Sequence, residues 1–270
     1  MRQIITALLS ASVLSVACAS GALAADMPAK APVYKVSAPV AYNWTGCYIG
    51  LNAGGAWSRS NFTTVVDPGS HLGAPANLAA TSAAGTGSAN DSGFIGGGQV
   101  GCNLQSGQWV FGLEADFDGI TSKPTLNGSG VLTTGDTFTM SNSVKPSWLA
   151  TVRPRVGFAF DRSLLYATGG LAVTRFKYNQ TYFDTLFNTT GTFDTSATKT
   201  GWTVGAGWEY AWLPKWTVKL EYLYARFNTT GATGLFFNPG GQNVVHGTAD
   251  LKEHIIRVGL NYKLWSPGGQ

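Results

Sequence analysis

The feature that most constrains this chain is an alternation of period two in which one parity carries nearly all the large side chains. In "WEYAWLPKWTVKLEY" and its flanks, Trp202, Val204, Ala206, Trp208, Tyr210 and Trp212 share one parity, while Gly201, Thr203, Gly205, Gly207 and Glu209 share the other. After the break "LPK", Trp216, Val218, Leu220, Tyr222 and Tyr224 alternate with Thr217, Lys219, Glu221 and Ala225, with Leu223 the exception. Successive strand side chains point to opposite faces, so each segment is a strand with one apolar side and one small or charged side. A helix would mix the two sets.

The same pattern recurs. Trp109, Phe111, Leu113, Ala115 and Phe117 alternate with Glu114, Asp116 and Asp118. Trp148, Ala150, Val152, Pro154, Val156, Phe158 and Phe160 alternate with Thr151, Arg153, Arg155 and Gly157, and Ile256 to Leu264 alternate with Arg257, Gly259, Asn261 and Lys263. Weaker strands over 45–59, 93–104 and 164–177 bring the expected total to eight. Short breaks at "QSGQ", "DRS" and "LPK" alternate with long connections over 61–90, 123–145, 179–198 and 229–249. Short turns at one end and long loops at the other are the plan of an outer-membrane barrel, and Trp57, Trp109, Trp148, Trp212 and Trp216 suit its aromatic girdles.

A soluble β-sandwich or lipocalin-like barrel also alternates, but with its apolar face inside. Packing these Trp and Phe inward would demand a charge-rich exterior. Only 12% of the residues are charged, and the opposite faces hold many of the 35 glycines. No stretch approaches eighteen consecutive apolar residues, which leaves closed strands as the spanning solution. The expected fold is therefore an all-β, eight-stranded antiparallel transmembrane barrel with short periplasmic turns and long extracellular loops. Trp208, Leu220, Phe111, Val152 and Val258 should face lipid.

The N-terminus reads as an export signal over 1–24. Arg2 precedes the apolar "IITALLSASVLSVA", and Ala22-Leu23-Ala24 offers a small-x-small cleavage site that leaves Ala25 or Asp26 first. A lipoprotein signal ending at Cys18 competes, but "SVAC" lacks the usual leucine three places earlier. Pro28, Pro32 and Pro39 mark 25–43 as an extended periplasmic linker, followed by the barrel over 44–265 and a tail over 266–270.

"YNWTGCYIGLNAGGAW", "GFIGGGQVGCNLQ", "LLYATGGLAV" and "HIIRVGLNYKL" resemble the small outer-membrane porin-family barrels of alphaproteobacteria, related to OmpA-like and opacity-type barrels. The resemblance covers most of 43–264 and implies barrel and compartment, not a ligand. Such barrels usually finish on an aromatic read by the assembly machinery. Here the position is Leu264, so either Trp265 serves or the signal is internal. The partners implied are outer-membrane lipid, lipopolysaccharide and the barrel assembly machinery. The charge of +4 contains no basic run that suggests nucleic acid.

Catalytic and cofactor motifs are not found in the sequence. His71, His246 and His254 have no metal-ligand spacing, although the resemblance leaves haem conceivable. "GFIGGGQVG" lies in a strand with no helix after it, unlike a dinucleotide loop. No enzyme, metal or cofactor is expected.

Two sets of residues define the expected site. If Trp212 faces Trp216 across "LPK", Glu209 lies opposite Lys219, and the lumen collects Glu114, Asp116, Asp118, Glu209 and Glu221 with Arg153, Arg155, Lys219, Arg257 and Lys263. An eight-stranded interior is only just wide enough for side chains to fill it, so these charges should pair. The alternative is a hydrated lumen with a narrow leak. Cys47 and Cys102 lie at similar depth with outward parity in an oxidising compartment and should form a disulfide; the alternative is two free thiols. The function expected is a structural barrel with an occluded lumen that anchors surface loops, the alternative a small porin or a surface ligand receptor.

Overall fold

The computed structural model describes residues 42–68, 72–238 and 241–265. The segment read as a signal, all but the last two residues of the linker, His71 and the tail over 266–270 lie outside the described residues.

The described chain is strand almost throughout: β1 (Gly46–Val66), β2 (Gly87–Ser106), β3 (Trp109–Ile120), β4 (Thr125–Val131), β5 (Thr137–Phe160), β6 (Ser163–Asp184), β7 (Thr189–Leu213), β8 (Trp216–Asn238) and β9 (Gly241–Trp265). One helix, α1 (Pro75–Ala84), follows β1. Every pairing is antiparallel, and the β1–β9 and β3–β5 ladders close a ring of eight strands. Closure leaves no strand edge to hydrogen-bond with lipid, which is the condition for spanning with strands.

β4 is the upper part of the strand that begins as β3. The β3–β5 ladder ends at Gly119↔Trp148, and β4 resumes on the same partner at Thr125↔Ser143. Two prolines account for the break. Pro124 has no N–H to offer, and on the facing strand the β5–β6 register shifts between Pro146 and Leu149. A lesser break sits at Pro154, where the β5–β6 ladder skips from Val152↔Leu171 to Arg155↔Thr168. Gly170 fits there because a Cβ would come within 2.2 Å of the Val152 carbonyl. The Thr168 hydroxyl donates to the freed Pro154 carbonyl at 2.9 Å.

The connections expected as long loops are largely ribbon. The β6–β7 ladder continues to Asp184↔Thr189, the β8–β9 ladder to Asn238↔Gly241 and the β4–β5 ladder to Val131↔Thr137. Their Thr-, Asn- and Gly-rich composition suggested irregular chain, but threonine favours strands and period two persists inward through Phe176, Tyr178, Gln180 and Tyr182. The region 61–90 holds α1, unforeseen in the sequence, with a proline in its first turn and Gly85 at its end. Gly85 is pressed against β1 and β5, where a Cβ would lie 2.4 Å from the Thr64 hydroxyl and 2.5 Å from the Met140 sulfur.

Outward faces carry the exposed apolar residues, Phe111, Val152, Trp208, Leu220 and Val258 among them. Aromatics mark both margins of this band. Trp109 with Phe158, and Trp216 with Tyr262, lie beside the short turns, whereas Phe117 with Trp148, and Trp202 with Tyr224, lie at the far margin. The interior has two storeys. Near the turns it is polar. Toward the long connections, Ile95, Ile120, Leu149, Leu223, Leu251 and Ile255 form an apolar core with Phe62, Phe176 and Phe227. Leu223, the exception to lumen polarity in the sequence, belongs to this layer. Above it, Leu72, Phe138, Met140, Tyr182 and Val245 form a second apolar cluster, with Leu78, Ala80 and Ala84 of α1 packed against it.

Candidate functional site

The lower storey of the lumen is an ion-pair network built from five strands. Alternation puts Glu114, Asp116 and Asp118 of β3, Arg153 and Arg155 of β5, Glu209 of β7, Glu221 of β8 and Arg257 of β9 on the inner wall, all buried. Lys219 of β8 is fully buried beside them.

Arg153 is the hub. Its guanidinium lies 2.8 Å from Glu114, 2.7 Å from Asp116 and 3.3 Å from Glu221, and its Nε donates to the Thr151 hydroxyl at 2.9 Å. Arg257 donates to Asp118 at 2.5 Å, Asp116 at 3.1 Å and Glu221 at 2.8 Å. Lys219 reaches Glu114 at 2.8 Å and Glu221 at 3.7 Å. Arg155 lies 3.1 Å from Glu209 and 3.6 Å from Glu114, with its guanidinium about equally far from the Tyr48 and Tyr166 rings, 5.0 and 5.1 Å. Both tyrosine hydroxyls donate onward, Tyr48 to Glu114 at 2.5 Å and Tyr166 to Glu221 at 2.9 Å. Planar guanidinium forks suit such shared carboxylates, and buried charges persist only when paired and hydrogen-bonded.

Two details differ from the expected arrangement. Glu209 and Lys219 are register partners, but β7 bulges at Trp212, so Leu213 rather than Trp212 pairs with Trp216. The facing pair does not bond within itself. Lys219 crosses the lumen to Glu114, while Glu209 takes Arg155, the Asn261 amide at 2.9 Å and the Thr217 hydroxyl. Lys263 also stands apart. It is half-buried at the periplasmic mouth, donating to the Asn43 carbonyl at 2.6 Å with its ammonium 5.0 Å from the Tyr42 ring.

Several members escaped the sequence patterning. Tyr48, Asn52, Gln99 and Asn103 are buried polar groups on β1 and β2, strands whose alternation is weak because their outward residues are often glycine or alanine. Glu253 has the parity of Arg257 but precedes the strand start read from sequence. It is fully buried within the apolar layer, between Leu251 and Ile255, where Ser58 bridges it to Ser122 at 2.7 and 2.6 Å.

The periplasmic mouth is closed. Tyr42 bonds through its N–H to the Asp161 carbonyl, and Trp44 to the Gln105 side chain at 2.7 Å. Trp44 is 3% exposed and packs with Val110, Leu164, Tyr166 and Ala211. The cavity left between this cap and the Glu209–Asn261 pair is about 10 Å³, room for one water.

Outside the lumen, Cys47 and Cys102 are register partners with Cα atoms 4.0 Å apart and form a disulfide across the periplasmic end of the β1–β2 seam. His246 lies 3.0 Å from Asp67 and 2.9 Å from the Thr233 hydroxyl, while His254 faces outward beside Tyr222 and Tyr224. Among the described residues no three His, Cys, Asp or Glu side chains gather as a metal site.

A family model described as "Outer membrane protein beta-barrel domain" matches residues 10–263. The chain is 35% identical to the 31 kDa outer-membrane immunogenic protein of Brucella melitensis, over 91% of this chain and 94% of that one. It is 26% identical to the 25 kDa outer-membrane immunogenic protein of Brucella abortus, over 90% of each. Among solved structures, the outer membrane protease OmpT from Escherichia coli aligns with 83% of this chain and 99% of its own, at 9% identity and a TM-score of 0.44.

Proposed function

The chain belongs to the outer-membrane protein β-barrel family, and we propose that it serves there as a closed structural barrel that anchors surface ribbons rather than as a diffusion channel. The observation that carries this reading is a lumen filled at every level: the Trp44 cap, the ion-pair network, the apolar layer around Leu223 and Ile255, and the cluster under α1. Eight strands leave little more than the volume of their own inward side chains.

The same arrangement supports a role without catalysis. A hydrolase needs a nucleophile, base and orienting group together at an accessible site. Here the lumen carboxylates are held by cations beneath apolar side chains. Liposomes containing the folded barrel should retain small sugars as protein-free liposomes do. Swelling at a rate proportional to the amount of barrel inserted would favour the porin reading instead.

A further inference from the structure

Lumen cations are consumed by lumen acids, but a second set of cations lies on the outer wall and forms no ion pair among the described residues. Arg59 of β1, Lys252 of β9 and Arg226 of β8 are consecutive in one cross-strand row, with register pairs Arg59↔Lys252 and Arg226↔Lys252. The row directly below, on the same outward face, is Trp57, His254 and Tyr224, with Trp57↔His254 and Tyr224↔His254. Each cation thus stands two residues above a member of the outer aromatic margin, on the side away from the short turns.

Directly opposed residues on neighbouring strands have Cβ atoms about 5 Å apart, and like charges so placed repel. No ion pair within the described residues relieves this row. The nearest acid on the outward face of β9, Asp250, accepts from the Asn61 backbone and side chain at 2.8 and 3.0 Å. Asp91, on the other side of Arg59, accepts from the Lys123 N–H at 2.5 Å. Beside Arg59 the wall is hollowed by a groove of about 540 Å³ lined by Trp57, Ser58, Arg59, Asn90, Ser92 and His254 together with one acid, Asp91. A comparable group lies beyond β7, where Lys145 of β5 pairs in register with Lys177 of β6, and Arg175 lies two residues away on the same face.

We infer that the Arg59–Lys252–Arg226 row binds the phosphorylated saccharide headgroup of the outer-leaflet glycolipid, lipopolysaccharide. The acyl chains lie along the apolar band below the aromatics, the phosphates meet the cations, and the sugar ring occupies the groove edged by Asn90 and Ser92. Aromatic side chains mark the depth at which headgroups begin, so cations one row higher stand at the level of the phosphates. The bound anion supplies the counter-charge that the wall lacks. This inference rests on the outer-membrane location and not on occlusion of the lumen, so either can fail alone.

The test uses the folded mature chain in neutral-lipid nanodiscs, titrated with diphosphorylated lipid A and with the same lipid stripped of phosphate. The expected result is preference for the phosphorylated form, lost by tenfold or more in R59Q/K252Q/R226Q, since each cation near a charged surface contributes about fivefold. The control R162Q/K215Q, which removes two cations at the periplasmic turns, should bind as the parent does. Should the triple variant fail to give the heat-modifiable mobility of a folded barrel, R226Q alone should show the fivefold loss. Equal binding of the phosphate-free lipid, unchanged binding by the variants, or equal binding of phosphatidylglycerol would each overturn the inference. Competition by inorganic phosphate at similar concentration would reduce the row to a simple anion site and overturn it as well.

Discussion

Arg153 shows how a charge survives in a protein interior spanning a membrane. Its guanidinium has three carboxylate partners from two strands and a hydroxyl from its own, so its donors are used rather than stranded. Removing it would leave Glu114, Asp116 and Glu221 facing one another with Arg257, Lys219 and the more distant Arg155 to hold them. Breaking a buried pair by deleting one partner costs about 3–5 kcal/mol. Arg153→Ala should therefore lower the unfolding free energy by that amount in a urea titration in liposomes, whereas Lys215→Ala, in a turn, should change little. Contacts rather than register decide which pairs couple. A double-mutant cycle on Glu114 and Lys219, using Glu114→Gln and Lys219→Met, should return a coupling of about 1–3 kcal/mol. The same cycle on Glu209 and Lys219, opposed in register but joined only through Arg155 and Glu114, should return a smaller coupling. Alternation alone assigned all ten charges to the lumen, because a strand's face follows from parity; nine lie on the inner wall and Lys263 stands at the mouth. The one facing pair it named, Glu209 and Lys219, does not bond within itself, because a side chain crossing the lumen answers to shear and diameter, which no single strand encodes.

At the scale of elements, each strand is a lipid-facing segment continued by an extracellular ribbon. Lipid-facing and ribbon positions share outward parity and differ only in what surrounds them. An arginine at Val258, in the apolar band, should destabilise by about 2–4 kcal/mol, against little at Thr192 in the β7 extension, whose register partner is the uncharged Thr181, when both are unfolded by urea in liposomes. Equal costs at the two sites would mean that the band has been placed wrongly. The β1–β2 seam yields a second test. Because Cys47 and Cys102 are joined, the denatured, unreduced mature chain should show no thiol reactive toward Ellman's reagent, and two thiols should appear after reduction. The membrane segments were legible because aromatics and charges contrast sharply across each strand. The ribbons were not, since the Thr- and Asn-rich runs of β6 to β9 pair through the backbone and read as loop by composition. α1 hid for a different reason: ten residues dominated by Ala, Thr and Ser give no apolar stripe, and the helix is fixed by packing on Phe138 and Met140.

For the whole molecule, the two storeys of the lumen meet different requirements. The ion network fills the membrane-embedded half with charges that hold five strands in one arrangement, and the apolar layer above it keeps external water from solvating them. Only the first was visible in the sequence, because charged residues at inward parity are conspicuous, while Leu149, Leu223 and Ile255 look like lapses in the pattern until the ring closes and gathers them. Together with Trp44 below and α1 above, they leave a barrel with its bonding capacity turned inward, as the proposed anchoring role requires. The most direct test of this account is single-channel recording of the purified, folded monomer in a planar bilayer. The account predicts a silent membrane, with no steady openings above the leak of the lipid alone. Large, stable and reproducible conductance steps from the monomer would contradict it.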